Sequence, residues 1–411
     1  MKARPIFLLL ALTSFFCQCK KENPTSPNTV DFSCADHPAV CALTAANGNF
    51  AINVFKQING EEPAEKNIFI SPFSISTALT MTTNGAAGPT LNEMQNTLQI
   101  AGLGLAEVNT AYKTLLNTLP LLDAATKLKL ANSIWHQTNY PVVSSFLQTN
   151  SNYYNSEILP VNFREPAVVG QVNSWVENRT DGLIKEAITE LDPSTVMLLI
   201  NAIYFKGAWR TKFEAANTEN ADFFTLAGTE QVQMMHIPAS NFPYFSNDLF
   251  QAIDLPYGDS IYSMSVLLPK AGHDVNEVVA ALNGTTWAQW LSAFQPQAVE
   301  LFLPKFKMAY GKKLKRTLLD MGMGLAFSDA ADFSSMIQDG GVKIGEVIHK
   351  SFVEVDEKGT EAAAVTVVEI INTSVPIVPV IEANRPFLFV IRDNKTNSIL
   401  FMGKMMNPNA D

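Results

Sequence analysis

The chain is 411 residues long, with 29 basic against 39 acidic residues and a net charge of −10. Hydrophobic residues make up 47% and charged residues 17%, which excludes a disordered chain and supplies enough apolar side chain for a large core. The acidic balance argues against nucleic acid as a partner, since phosphate binding needs a basic face, and at roughly 150 residues per domain the length alone suggests two or three domains.

All four cysteines, Cys17, Cys19, Cys34 and Cys41, fall in the first 41 residues. The remainder therefore holds no thiol nucleophile, zinc–cysteine site or disulfide framework. Lys2 and Arg4 precede the apolar run IFLLLAL at 6–12. That pattern reads as a secretory signal peptide, and the run is too short to span a bilayer as a mature helix. A cysteine after such a region, followed by the polar KKENPTSPN, resembles a bacterial lipoprotein signal, in which the cysteine is acylated and becomes the new N-terminus. Cys19 is the preferred acylation site and Cys17 the alternative; ordinary secretion with cleavage nearby is the competing reading. Residues 20–33, rich in Pro, Ser, Thr and Asn, read as a flexible tether. Cys34 and Cys41 are spaced for a small disulfide loop, although nothing in the sequence demands the pairing. Signal peptide 1–19, tether 20–41 and body 42–409 are the expected divisions.

The body begins with a helix at GNFAINVFKQING, residues 48–60, with Phe50, Val54, Phe55 and Ile58 on one stripe and Gly60 as a stop. Ser71-Pro72 starts the next, a hydroxyl cap followed by proline at the first helical position, and Ile75 and Leu79 carry its stripe to Gly85. Residues 172–186 predict a short helix broken at Asp181-Gly182. Apolar strands follow at 196–205, 263–269, 299–308, 385–392 and 398–404. Helices early and strands late suggest an α+β fold, with helices packed on a large, mostly antiparallel sheet.

Signals for catalysis are missing. The five histidines, His37, His136, His236, His273 and His349, form no HExxH pattern, and no GxSxG or GxxxxGK[ST] string occurs. Gly102-Leu103-Gly104 and Gly322-Met323-Gly324 lack the third glycine of a dinucleotide loop and read as turns. The basic run KKLKR at 312–316 is better explained as a solvated turn or helix face than as an anion site. No metal site, cofactor or enzymatic activity is expected.

Residues 357–380, EKGTEAAAVTVVEIINTSVPIVPV, are the informative stretch. In a strand, Thr360, Ala362, Ala364, Thr366, Val368 and Ile370 share one face, while Glu361, Ala363, Val365, Val367 and Glu369 share the other. Both glutamates of that alternation lie together, so the opposite face can be buried without desolvating a charge. An ordinary sheet strand fits this pattern. The following Asn-Thr-Ser and Pro-Ile-Val-Pro, however, read as exposed extended backbone of the kind a protease cleft accepts.

EKGTEAAAVT resembles the reactive-loop hinge of serpins. NIFISPFSIS, NSIW, VNSWVENRTDGLIKE, LLINAIYFKGAWRTKF, LPKFKMAYGKKLKRTLLDMGM, VIHKSFVEVDEKGTEAAA and RPFLFVIRDNKTNSILFMGK are similar to serpin motifs in serpin order, covering about residues 42–409. The resemblance implies one domain of three β-sheets and eight or nine helices with an exposed reactive-centre loop at about 357–380. It also implies inhibition by a suicide route: a protease is acylated on the loop, and the freed loop inserts into the main sheet and carries the protease along. About 15 residues at roughly 3.3 Å each give a translocation on the order of 50 Å.

By the same resemblance, Glu357, Gly359, Thr360, Glu361, Ala362, Ala363, Ala364, Val365 and Thr366 form the hinge, small and free of proline. Ser71, Ser74, Asn201 and His349 match the shutter, a polar cluster governing opening of the main sheet, and Trp209 matches the aromatic residue where the loop first enters. Counting from Glu357 as the family does puts the scissile bond at Thr373-Ser374, with Ile371, Asn372 and Val375 as alternatives. No arginine, lysine or large aromatic lies between Gly359 and Glu382, which disfavours trypsin-like and chymotrypsin-like targets. The expected partners are elastase-like or subtilisin-like serine proteases, with papain-like cysteine proteases second, at a bacterial cell envelope. The alternatives are a non-inhibitory carrier on the same fold and a surface hydrolase, which lacks any nucleophile–base signature.

Overall fold

The computed structural model describes residues 36–360 and 378–410. Its first helix, α1 (Pro38–Glu61), starts ten residues earlier than the periodicity suggests, with Pro38 at the first position and no side-chain cap. Phe50, Val54, Phe55 and Ile58 are fully buried along it, as their spacing requires. After β1 (Ile68–Ile70) comes α2 (Pro72–Thr83), where the Ser71 side chain accepts the Ser74 N–H and Pro72 occupies the first turn. α3 (Gly88–Thr97) and α4 (Leu105–Thr118) complete this helical layer.

Next come β2 (Thr126–Gln137), α5 (Ser144–Tyr154), β3 (Ser156–Val161), α6 (Ala167–Arg179) and β4 (Met197–Ala208). α6 ends where expected, before Asp181 and Gly182, both at positive φ. The later chain supplies β5 (Glu219–Thr225), β6 (Gly228–Ser246), β7 (Phe250–Pro256), β8 (Tyr262–Pro269), α7 (Val275–Ala281), α8 (Gly284–Ala293), β9 (Gln295–Pro304) and β10 (Phe306–Lys313). It closes with α9 (Lys315–Asp320), β11 (Ile348–Val355), β12 (Gly359–Thr360), β13 (Val380–Glu382), β14 (Phe387–Asp393) and β15 (Ile399–Met405).

Three sheets and nine α-helices are present among the described residues. The largest sheet runs β1-β15-β14-β8-β7-β6-β9-β13, with β5 also on β6. A four-stranded sheet runs β12-β4-β2-β3, and β10 pairs with β11 alone. Among the described residues only β13–β9 and β2–β3 are parallel pairs. The run read as one strand, 299–308, is two. β9 ends at Pro304, which has no N–H for a ladder, and β10 leaves for a different sheet after Lys305.

Apolar strands β14 and β15 are buried along their whole length. Gly403 is needed there, because a Cβ would lie 2.1 Å from the Phe389 ring. That ring stacks in turn on Phe69 at 5.8 Å. Of the basic run 312–316, Lys312 is held by Glu61 and Glu62 at 3.1 and 2.8 Å.

Candidate functional site

β11 ends in a tight reversal. The Asp356 N–H donates to the Gly359 carbonyl at 3.0 Å, and Asp356 Oδ1 accepts from the Lys358 and Gly359 N–H groups at 2.8 and 3.2 Å. An aspartate bonded to the backbone two and three residues on is a self-contained turn. The chain comes back as β12, which pairs antiparallel with β4 through Gly359–Ala208 and Thr360–Gly207. β12 therefore lies between β4 and β11. Among the described residues no ladder joins β4 to β11 beyond it. These two facing edges, unpaired with each other among the described residues, bound a slot at whose start Gly359 and Thr360 stand.

Only glycine fits at the entrance. Gly359 has φ +146, and a Cβ would sit 2.1 Å from the Gly207 carbonyl oxygen. Trp209 packs over this point. Its ring stacks on Tyr257 at 4.4 Å, its Nε1 donates to the Asp356 carbonyl at 2.9 Å, and its backbone N–H donates to Lys358. Thr360 is buried, and its hydroxyl lies 2.7 Å from that of Tyr257. Burial pushes the Tyr257 phenol well above its ordinary value, so it stays protonated and keeps this bond.

Glu357 fastens the turn from outside: Lys305 pairs with it at 3.0 Å and Thr218 donates to it at 2.9 Å. Burial alone would raise its pKa. Bonds from its own backbone, Lys305 and Thr218, with the Lys305 charge, hold the carboxyl below the usual range. Tyr257, Asp356, Lys305 and Thr218 were not singled out from sequence. Each acts through a partner more than 50 positions away or through a turn, and neither leaves a periodic signal.

Farther along β4, the four positions that the sequence resemblance assigns to the shutter lie together. Ser71 donates its N–H to His349 Nε2 at 3.1 Å and its hydroxyl to the Leu400 carbonyl at 2.8 Å. The Ser74 hydroxyl reaches the Asn201 carbonyl at 3.5 Å. The Asn201 side chain donates to Asn132 at 2.7 Å, while its Oδ1 is buried with no partner among the described residues. Asn132 is thus a fifth member, on β2.

Of the hinge, Glu357, Gly359 and Thr360 are placed. Glu361, Ala362, Ala363, Ala364, Val365 and Thr366 lie outside the described residues, as do Ile371, Asn372, Thr373, Ser374 and Val375. Cys17, Cys19 and Cys34 also lie outside them. Cys41 is disulfide-bonded. No group of three His, Cys, Asp or Glu side chains suited to a metal occurs among the described residues.

The family model described as "Serpin (serine protease inhibitor)" matches residues 45–408. An uncharacterized serpin-like protein of Thermococcus kodakarensis is 36% identical over 392 residues, covering 94% of this chain and 89% of its own. The native-state crystal structure of the thermophilic serpin tengpin superposes with a TM-score of 0.81 at 34% identity, covering 89% of this chain and 94% of that one. Human thyroxine-binding globulin, in a complex with its hormone, superposes at 0.83 and 32%, covering 90% and 100%. The family therefore includes inhibitory and non-inhibitory members. Matched by this family model over most of its length and 36% identical to a serpin-like relative, this chain belongs to the serpin family.

Proposed function

We propose that the protein is an inhibitory serpin that traps elastase-like or subtilisin-like serine proteases. The observation that carries this reading is the docked entrance: Thr360 already sits on β4 in strand register, and the chain beyond it is small and proline-free. Six residues past Thr360 comes Thr366, and six before Gly207 on β4 comes Asn201. From the other side, the Asp356–Gly359 bridge sets Val355 opposite Thr360, and so His349 opposite Thr366. Continuing the two registers brings Thr366 to the shutter from both edges. The residues between would set Ala362 and Ala364 beside Phe205 and Ile203, which face the core. Small side chains enter such a place without clash, and none carries a charge to desolvate.

The chain itself catalyses nothing in this reading. The protease's serine oxygen attacks the carbonyl carbon of the residue before the scissile bond, Thr373 by the count from Glu357. The bond to the Ser374 nitrogen breaks, and that amine leaves with the proton the protease's own base took from the serine. The ester then remains attached to a loop free to enter the slot. The absence of arginine, lysine and large aromatics between Gly359 and Glu382 directs the choice toward proteases with small or β-branched preference.

The similarity to thyroxine-binding globulin supports a second reading, a carrier on the same fold. Incubation with an elastase followed by a denaturing gel separates the two. A complex stable in SDS is expected. Loop cleavage that leaves the protease fully active and uncomplexed would overturn the inhibitory reading. The same proposal places the protein at a bacterial cell envelope, lipid-anchored through Cys19 or Cys17; replacing the acylated cysteine by serine should abolish labelling with a fatty acid and release the protein from the membrane fraction.

A further inference from the structure

The chain assigned to the reactive loop rejoins the described residues just before β13, and the limb of the largest sheet that receives it carries charge of one sign. β5 pairs with β6, β6 with β9 and β9 with β13. Along these four strands stand Glu219, Asp222, Glu230, Glu300 and Glu382, and no lysine or arginine. Among the described residues only Glu300 of the five has an ion-pairing partner, and that partner is His236 at 2.9 Å. Arg385, three residues past Glu382, directs its guanidinium to the Pro269 carbonyl at 3.0 and 2.6 Å.

Register gathers part of this charge on one surface. Ile381 and Leu301 pair with each other and are both fully buried, so Val380, Glu382, Glu300 and Phe302 take the opposite, outer face. His236 lies across from Phe302, its ring stacked on the phenyl at 4.3 Å. Val380 is left 45% exposed. An apolar centre within a polar, charged rim is the composition of a docking surface. The Glu300 N–H also donates to the Pro379 carbonyl at 3.0 Å, so this face is continuous with the chain that leaves the loop.

We propose that the face formed by Val380, Glu382, Glu300, Phe302 and His236 is a secondary contact for the target protease. It selects, among proteases of elastase or subtilisin type, those with a positively charged rim beside the active site. The proposal rests on the inhibitory reading above. From Ser374 to Val380 the chain spans at most about 21 Å. A protease domain of about 230 residues has a radius of gyration of about 17 Å, so one seated on the Thr373-Ser374 bond reaches this face. The fold itself does not call for the charge. Glu300 and Glu382 stand diagonally on neighbouring strands, where like sign opposes pairing rather than supporting it. Toward a cationic partner the same charge speeds encounter, because a surface of one sign steers association.

The test uses the full-length chain with Glu300→Gln, Glu382→Gln and the double variant. Glu107→Gln, at an exposed position of α4, makes the same change of net charge elsewhere. Two proteases that prefer small residues are compared, a cationic elastase and an anionic subtilisin. The second-order rate of SDS-stable complex formation is read at salt of about 0.05 and about 0.5 M. With the cationic elastase each single variant should associate about twofold more slowly and the double variant about fivefold, an effect lost at high salt. The anionic subtilisin should not be slowed, and Glu107→Gln should match the parent. The trapped fraction should stay constant, because the substitutions act before the loop is cut. Unfolding midpoints equal to the parent's show that the variants fold, and exposed Glu382 carries the test alone if Glu300→Gln does not. Rates indifferent to the substitutions, or slowed as much by Glu107→Gln, in a protein that traps elastase overturn the contact alone. Slower loop cleavage by the cationic elastase in the variants of a protein that never traps it sustains the contact and overturns the inhibitory reading.

Discussion

Ser71 and His349, 278 positions apart, meet in a 3.1 Å hydrogen bond from the Ser71 N–H to the imidazole Nε2. An accepting nitrogen carries no proton, so His349 is neutral in the folded protein. Burial accounts for this, lowering its pKa from 6.5 to about 4. The unfolded chain takes up a proton near pH 6.5 that the folded chain refuses until about pH 4. Stability is therefore full above pH 6.5 and declines as the pH falls through that window, by about 3 kcal/mol in all. His349→Gln should flatten this dependence. Denaturant midpoints at pH 7.5 and 4.5 check it, and an equal pH slope in the variant would count against the assignment.

Gly359 is where a single methyl group should undo the entrance. Gly359→Ala places a Cβ 2.1 Å from the Gly207 oxygen and 2.7 Å from the Ala208 Cα, both backbone atoms that cannot rotate away. The added backbone strain alone is about 1–3 kcal/mol. The expected outcome is release of β12 from β4, read as a change in Trp209 emission, with a lower unfolding midpoint. Emission and midpoint identical to the parent would show that the contact tolerates the methyl.

In the proposed inhibitory reading, Thr366→Arg should turn trapping of the protease into plain cleavage of the loop. The registers from both edges of the slot bring this position to Asn201 and His349, where a guanidinium would be buried without a carboxylate. Burying an unpaired charge costs several kcal/mol, enough to stall entry while leaving loop cleavage intact. Elastase should then cut the variant and stay active; an undiminished yield of SDS-stable complex would contradict insertion through this slot.

Asp254 and Arg392 form an ion pair at 3.0 Å, each side chain 8% exposed. Asp254 also accepts the Ser265 hydroxyl at 2.6 Å. Arg392→Met leaves a buried carboxylate without its cation, and about 3–5 kcal/mol of stability should be lost. Adding Asp254→Leu should recover part of it, because two apolar groups need no pairing. Urea unfolding of the two variants decides the point.

Local features were legible because they need only neighbours in sequence. The Ser71-Pro72 helix start and the Asp181-Gly182 break act over a turn or less. The alternation from Thr360 onward is visible because strand faces repeat every two residues.

The slot itself was not. That Thr360 is already buried on β4, that Tyr257 receives its hydroxyl, and that Asn201 turns to Asn132 follow from pairing between strands more than 60 positions apart. Length suggested two or three domains, yet one core runs from Val40 to Met406. The split at Lys305 was hidden for the same reason: one apolar run serves two sheets, and periodicity does not say which partner a strand will find. Local propensity writes each element, whereas burial shared among distant elements decides which edges pair.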